Sequence, residues 1–130
     1  MKNHLMTAAL AATLLGSFNV QALTIGEIEI QSAYGERFSA RIPLQLAAGE
    51  AVVPGCVRLE SIDPKNALMP TLVSYSVRVE PVQGGKSAVL LSTSDALTEP
   101  AVRIGLVVRC AKTSSSREFI VNQKLVDSKK

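Results

Sequence analysis

AVRIGLVVRCA, residues 101–111, is the most apolar strand-like stretch of the chain, and it alternates. Val102, Ile104, Leu106, Val108 and Cys110 fall in phase on one face, the period of a strand with one buried side. The same period recurs on both sides of it. Upstream, residues 37–46 put Phe38, Ala40, Ile42, Leu44 and Leu46 on one face, with Arg37, Ser39, Arg41 and Gln45 on the other. Pro43 falls on that polar face and has no N–H for a ladder, so this strand is expected at a sheet edge or bulged. Residues 25–30 set Ile28 and Ile30 against Glu27 and Glu29, and should form a hairpin with the 37–46 strand. Residues 56–62, 72–80 (Val73, Tyr75, Val77 and Val79 on one face) and 87–93 read as further strands. Downstream, a polar turn at 112–116 leads to a last strand over 117–126, where Phe119, Val121 and Leu125 share a face. Asp63-Pro64-Lys65-Asn66 and Gly84-Gly85 are strong turn signals. About seven short strands and no convincing helix predict an all-β fold, an immunoglobulin-like β-sandwich. A small barrel is the alternative.

The chain has 130 residues, the length of one domain, and 47% of them are hydrophobic, which suits a packed core. Its net charge of +3 is too slight to imply nucleic acid. Aromatics are 4% and Trp is absent, a poor basis for stacking platforms that hold bases or sugars. Met1-Lys2-Asn3-His4 is a weakly basic start, an uncharged apolar run follows to Gly16, and Val20-Gln21-Ala22 ends in small residues. This is the layout of a secretory signal peptide over residues 1–22, with Leu23 as the mature start. The run falls short of the roughly 20 apolar residues of a membrane span, although an uncleaved anchor is the alternative. Residues 23–126 then form the domain and 127–130 a charged tail. The expected location is the periplasm, with secretion beyond it as an alternative.

Cleavage would remove His4, the only histidine. The mature chain could then build neither a Ser-His-Asp triad nor a Cys-His pair, and two cysteines alone make no zinc site. Glu27 and Glu29 read as solvated charges on one strand face rather than a catalytic pair. The expectation is a protein that is not an enzyme and carries no cofactor. Cys56 and Cys110, the only cysteines, read in an exported chain as a disulfide joining the end of a core-facing strand to the start of the 56–62 strand. A redox-active pair would sit closer, as CxxC, and an intermolecular bridge would leave an odd cysteine.

The residues following the leader resemble a known domain. Leu23-Thr24-Ile25-Gly26-Glu27-Ile28 resembles the Leu-x-Leu-Gly-Glu-Ile opening of the periplasmic N-terminal domain of FimV/HubP-type proteins. SAYGERFSARIPLQL at 32–46, Thr98-Glu99-Pro100 before the apolar strand, and Arg117-Glu118-Phe119 resemble later segments of that domain. The resemblance covers most of 23–126 and implies a link to type IV pili and the cell pole. The family's LysM module, membrane span and cytoplasmic repeats do not stand in these 130 residues, and Cys56 and Cys110 are no part of the resemblance. The fold is expected to transfer more readily than the polar role.

The expected function is therefore a binding or scaffolding domain of the envelope. Its partner would be an envelope or pilus-assembly protein, or peptidoglycan, with no nucleic acid and no membrane span after cleavage. Sheet edges are the natural contact surface, by strand addition. Ile28, Ile30 and Pro43 mark the expected edges, and Arg103, Arg109 and Arg117 a basic stripe. The alternative is an exported inhibitor or immunity-like protein that plugs an envelope enzyme with the loop at 49–55 or 94–100.

Overall fold

A computed structural model describes residues 23–111 and 113–123. The leader, Lys112 and residues 124–130, with Leu125 and Val126 of the expected last strand, lie outside the described residues. The strands are β1 (Thr24–Ile25), β2 (Glu29–Ile30), β3 (Arg37–Gln45), β4 (Val57–Leu59), β5 (Tyr75–Val79), β6 (Lys86–Ala96), β7 (Ala101–Cys110) and β8 (Thr113–Asn122). Two single-turn 3-10 segments, Pro54–Cys56 and Pro64–Asn66, precede β4 and lie between β4 and β5.

Two antiparallel sheets result. One runs β1-β3-β6-β5, with β2 also on β3, and the other runs β4-β7-β8. Phe38, Ile42, Val89, Leu91, Val102, Ile104, Leu106 and Val108 are all but completely buried between them. They come from the alternating faces of β3, β6 and β7, so the period-2 pattern is the packing instruction itself. The all-β sandwich is as expected, with eight strands among the described residues rather than about seven.

The extra strand comes from the opening segment. Ile25 stands opposite Leu44 and Glu29 opposite Arg41, so residues 26–28 face only Ile42 and Pro43. One surplus residue makes a bulge that splits 25–30 into β1 and β2. The bulge also corrects the placing of Pro43, which was expected on an edge or bulged strand. β3 is an interior strand, between β1/β2 and β6. Gly26 N–H donates to the Pro43 carbonyl at 2.8 Å. The nitrogen and carbonyl of one strand residue point to the same side, so the missing donor of Pro43 faces the bulge and β6 loses no bond.

The segment 72–80 departs from its expected phase as well. Leu72 is buried, Val73 is 72% exposed and the strand begins only at Tyr75. Ser74 sits at φ 53°, in the left-handed region, and that residue breaks the alternation. The expected strand at 56–62 shortens to Val57–Leu59 because residues beyond it cross the outer face of β7. Glu60 N–H makes the last bond to the Gly105 carbonyl, at 2.8 Å, and the Glu60 carbonyl and Ile62 then lie over Gly105.

Candidate functional site

Among the described residues no three His, Cys, Asp or Glu side chains gather as a metal site would require. The best-organised charges are on the outer face of the larger sheet. Arg41 Nε and Nη2 donate to Glu80 at 3.1 and 3.0 Å, and Nη1 reaches Glu29 at 3.5 Å. The Arg41 hydrogen bonds hold the Glu80 carboxyl below its ordinary range, and Glu80 raises the pKa of Arg41. A lowered carboxyl contributes stability above its unfolded pKa, and that contribution is lost as pH falls through the folded value. Arg41 stays protonated throughout. The thermal-midpoint gap between wild type and Glu80→Gln is therefore expected to be open at pH 7. It should close as pH is taken below the ordinary carboxyl value of 4.5. A gap that stays constant on acidification would show that the pair contributes nothing through its charge. The pair is partly exposed to solvent, so added salt should narrow the gap too.

Cys56 and Cys110 are bonded to each other, with Cα atoms 5.2 Å apart. Cys56 closes the 3-10 turn ahead of β4 and Cys110 ends β7, so the bond joins the places the sequence pointed to.

The expected contact residues are not brought together as one surface. Ile28 and Ile30 lie on the β1/β2 edge and are half-buried against the core. That edge is short, bulged and partly covered. Arg117 Nη1 donates to the Ile25 carbonyl at 3.0 Å, and Nη2 to Glu27 at 2.6 Å. Pro43 lies one strand inward from this edge.

The basic stripe is corrected. Arg117 stands opposite Leu106, so it lies on the inward face of its sheet, at the rim, with its guanidinium 5.0 Å from the Phe119 ring. Arg103 and Arg109 lie on the opposite, outward face. Arg103 donates to the carbonyls of Met69 and Ala67, and Arg109 meets Glu60 at 3.4 Å. Arg117 instead closes the seam between the β1 edge and β8, where Leu23 N–H also reaches Thr113 Oγ1 at 3.4 Å.

The longest open edge belongs to β8, which sequence reasoning did not single out. Gly105 accepts from Glu60, and Arg103 N–H donates to the Pro70 carbonyl, so odd-numbered residues of β7 turn their backbone groups toward β4. Their partners across the β7–β8 ladder, including Ser114, Ser116, Glu118 and Ile120, therefore turn theirs away from β7. Among the described residues no strand pairs with that side of β8. Ile120 is 50% exposed there. The signal was present in the sequence as the one Ile out of phase with Phe119 and Val121.

No curated protein and no solved structure gives a significant match to the chain. A family model does match, over residues 23–126, and its span begins one residue before β1 and runs past the end of β8. It describes a FimV N-terminal, Ig-like domain, in accord with two antiparallel sheets packed face to face, and the chain belongs to that family.

Proposed function

We propose that the chain is a non-enzymatic binding or scaffolding domain of the bacterial envelope, exported by residues 1–22. It works on type IV pilus assembly, motility or cell-pole organisation by holding an envelope or pilus-assembly protein. The observation that carries this reading is the open edge of β8 between Ser114 and Ile120, with Ile120 exposed on it. An extended segment of a partner can add there as a further strand, with main-chain hydrogen bonds for affinity and side-chain pockets for choice. A long, regular edge left unpaired is otherwise a liability that folds tend to blunt. The family membership supports a FimV-like role, and no described helix is long and apolar enough to cross a membrane.

The test is in-cell crosslinking of the full chain, tagged at its C terminus, followed by mass spectrometry. Recovery of pilus, secretin or cell-wall proteins is expected. Ser116→Pro should lower that recovery about tenfold, the loss of one or two edge hydrogen bonds and the fit around them. Its N–H faces the open edge, so the β7 ladder is kept. Ile120→Lys should act in the same direction. Recovery unchanged by both variants would end the edge reading. Stoichiometric recovery of a single hydrolase or toxin instead would replace scaffolding with inhibition.

A further inference from the structure

The outer face of the smaller sheet carries a second feature, independent of its edge. Arg58 on β4 stands opposite Val107 on β7, and Arg109 lies two residues further along β7. Both side chains therefore rise from the same outward face, on neighbouring strands. With Gly55, Cys56 and Val107 they line a depression of about 250 Å³. Val107 is only 4% exposed and gives it an apolar floor. The wall at Cys56 is fixed to the end of β7 by the disulfide. Exposed Ser114 stands opposite Arg109 on the far strand.

The charges here are less balanced than those around Arg41 on the larger sheet. Arg41 is held by Glu80 through two hydrogen bonds of 3.0 and 3.1 Å. Arg109 has a single 3.4 Å contact with Glu60, and its side chain is 66% exposed. Arg58 makes no ion pair or side-chain hydrogen bond with any other described residue. Of the two guanidiniums only that of Arg109 meets a carboxylate, and at one contact. The larger depression on the other sheet, about 350 Å³ around Pro43 and Gly26, offers less, because its Arg41 is already saturated by Glu80.

We infer that the Arg58–Arg109 depression is a receptor for a carboxylate of a partner polypeptide, an aspartyl or glutamyl side chain. A guanidinium offers a flat fork of N–H donors that matches a planar carboxylate. The Val107 floor and the Cys56 wall suit the short aliphatic stem behind it. A phosphate, with oxygens directed out of one plane, would leave acceptors facing Val107.

The test is an NMR titration of the ¹⁵N-labelled protein, purified from cells expressing the full chain, at constant ionic strength. The probe is the blocked dipeptide acetyl-Glu-Glu-amide, beside acetyl-Gln-Gln-amide and inorganic phosphate. Saturable shifts are expected at Gly55, Cys56, Val107 and Arg109 with the glutamyl peptide. Arg58→Gln and Arg109→Gln should each weaken that binding about tenfold, the usual effect of losing a hydrogen bond to a charged group. Arg78→Gln, an exposed arginine of the other sheet, should leave it unchanged. The same spectra show that each variant is folded. Equal shifts with the glutaminyl peptide, or equal binding by Arg58→Gln, would overturn the site. Tighter binding of phosphate than of the glutamyl peptide would overturn its assignment to carboxylate.

Discussion

Gly105→Ala is expected to destabilise the domain by about 3–5 kcal/mol, the sum of a steric and a hydrogen-bond loss. Gly105 lies in the middle of β7, buried, with its outer side against the chain leaving β4. A Cβ there would overlap the Glu60 carbonyl oxygen and come within 3.1 Å of the Glu60 carbonyl carbon and Ile62 Cγ1. The obstacle is backbone, so no rotamer change clears it. Relief requires residues 60–62 to lift away, and that breaks the 2.8 Å bond from Glu60 N–H to the Gly105 carbonyl. A domain of this size has only about 5–15 kcal/mol of net stability, so the variant should populate unfolded chain at physiological temperature. Gly55→Ala is the control. A Cβ at Gly55 meets nothing within 4 Å and its φ is not positive, so its effect should stay within about 0.5 kcal/mol. The comparison is read from urea midpoints at unchanged slope. A Gly105→Ala midpoint close to that of Gly55→Ala would mean that residues 60–62 do not press on β7 as described.

The same crossing shows where the sequence was and was not legible. Alternation in residues 37–46 and 101–110 declared the two central strands, because a strand with one buried face writes that face into every second residue. The disulfide followed from two cysteines in a chain read as exported. Partner order was different. Pro43 suggests an edge only while the direction of its missing N–H is unknown, and that direction depends on a bulge in another strand. Arg117 shares its parity with Phe119 and Val121, so the alternation that marked those two as inward already placed Arg117 with them. Grouping it with Arg103 and Arg109 by charge set that parity aside. Arg58 meets Arg109 only through the β4–β7 register, which no local pattern encodes. The contact surfaces are a matter of which strands end up adjacent, and that is the part of the fold furthest from local sequence.

Removing the Cys56–Cys110 bond is the other change with a large expected effect. The linked residues are 54 positions apart, and a loop of that size restrains the unfolded chain by about 4 kcal/mol. Cys56→Ser with Cys110→Ser should lose stability of that order, with the urea midpoint falling accordingly. The placement of the bond adds a native-state role that chain entropy omits. β4 has three residues and three registered partners on β7, too few to hold itself in place. The disulfide anchors the turn ahead of β4, and the Glu60–Gly105 bond anchors the chain just after it. Both anchors hold the same short strand. An effect confined to the unfolded state would leave the Gly105→Ala penalty the same with or without the disulfide. Two anchors on one strand should instead couple, because a β4 already loosened can shift away from a new Cβ at less cost. The combined variant is therefore expected to lose less than the sum of its parts, by about 1 kcal/mol, within the range seen for sites that share a backbone shift. Strict additivity in that double-mutant cycle would assign the disulfide to the unfolded chain alone and remove its part in holding β4 and the Cys56 wall in place.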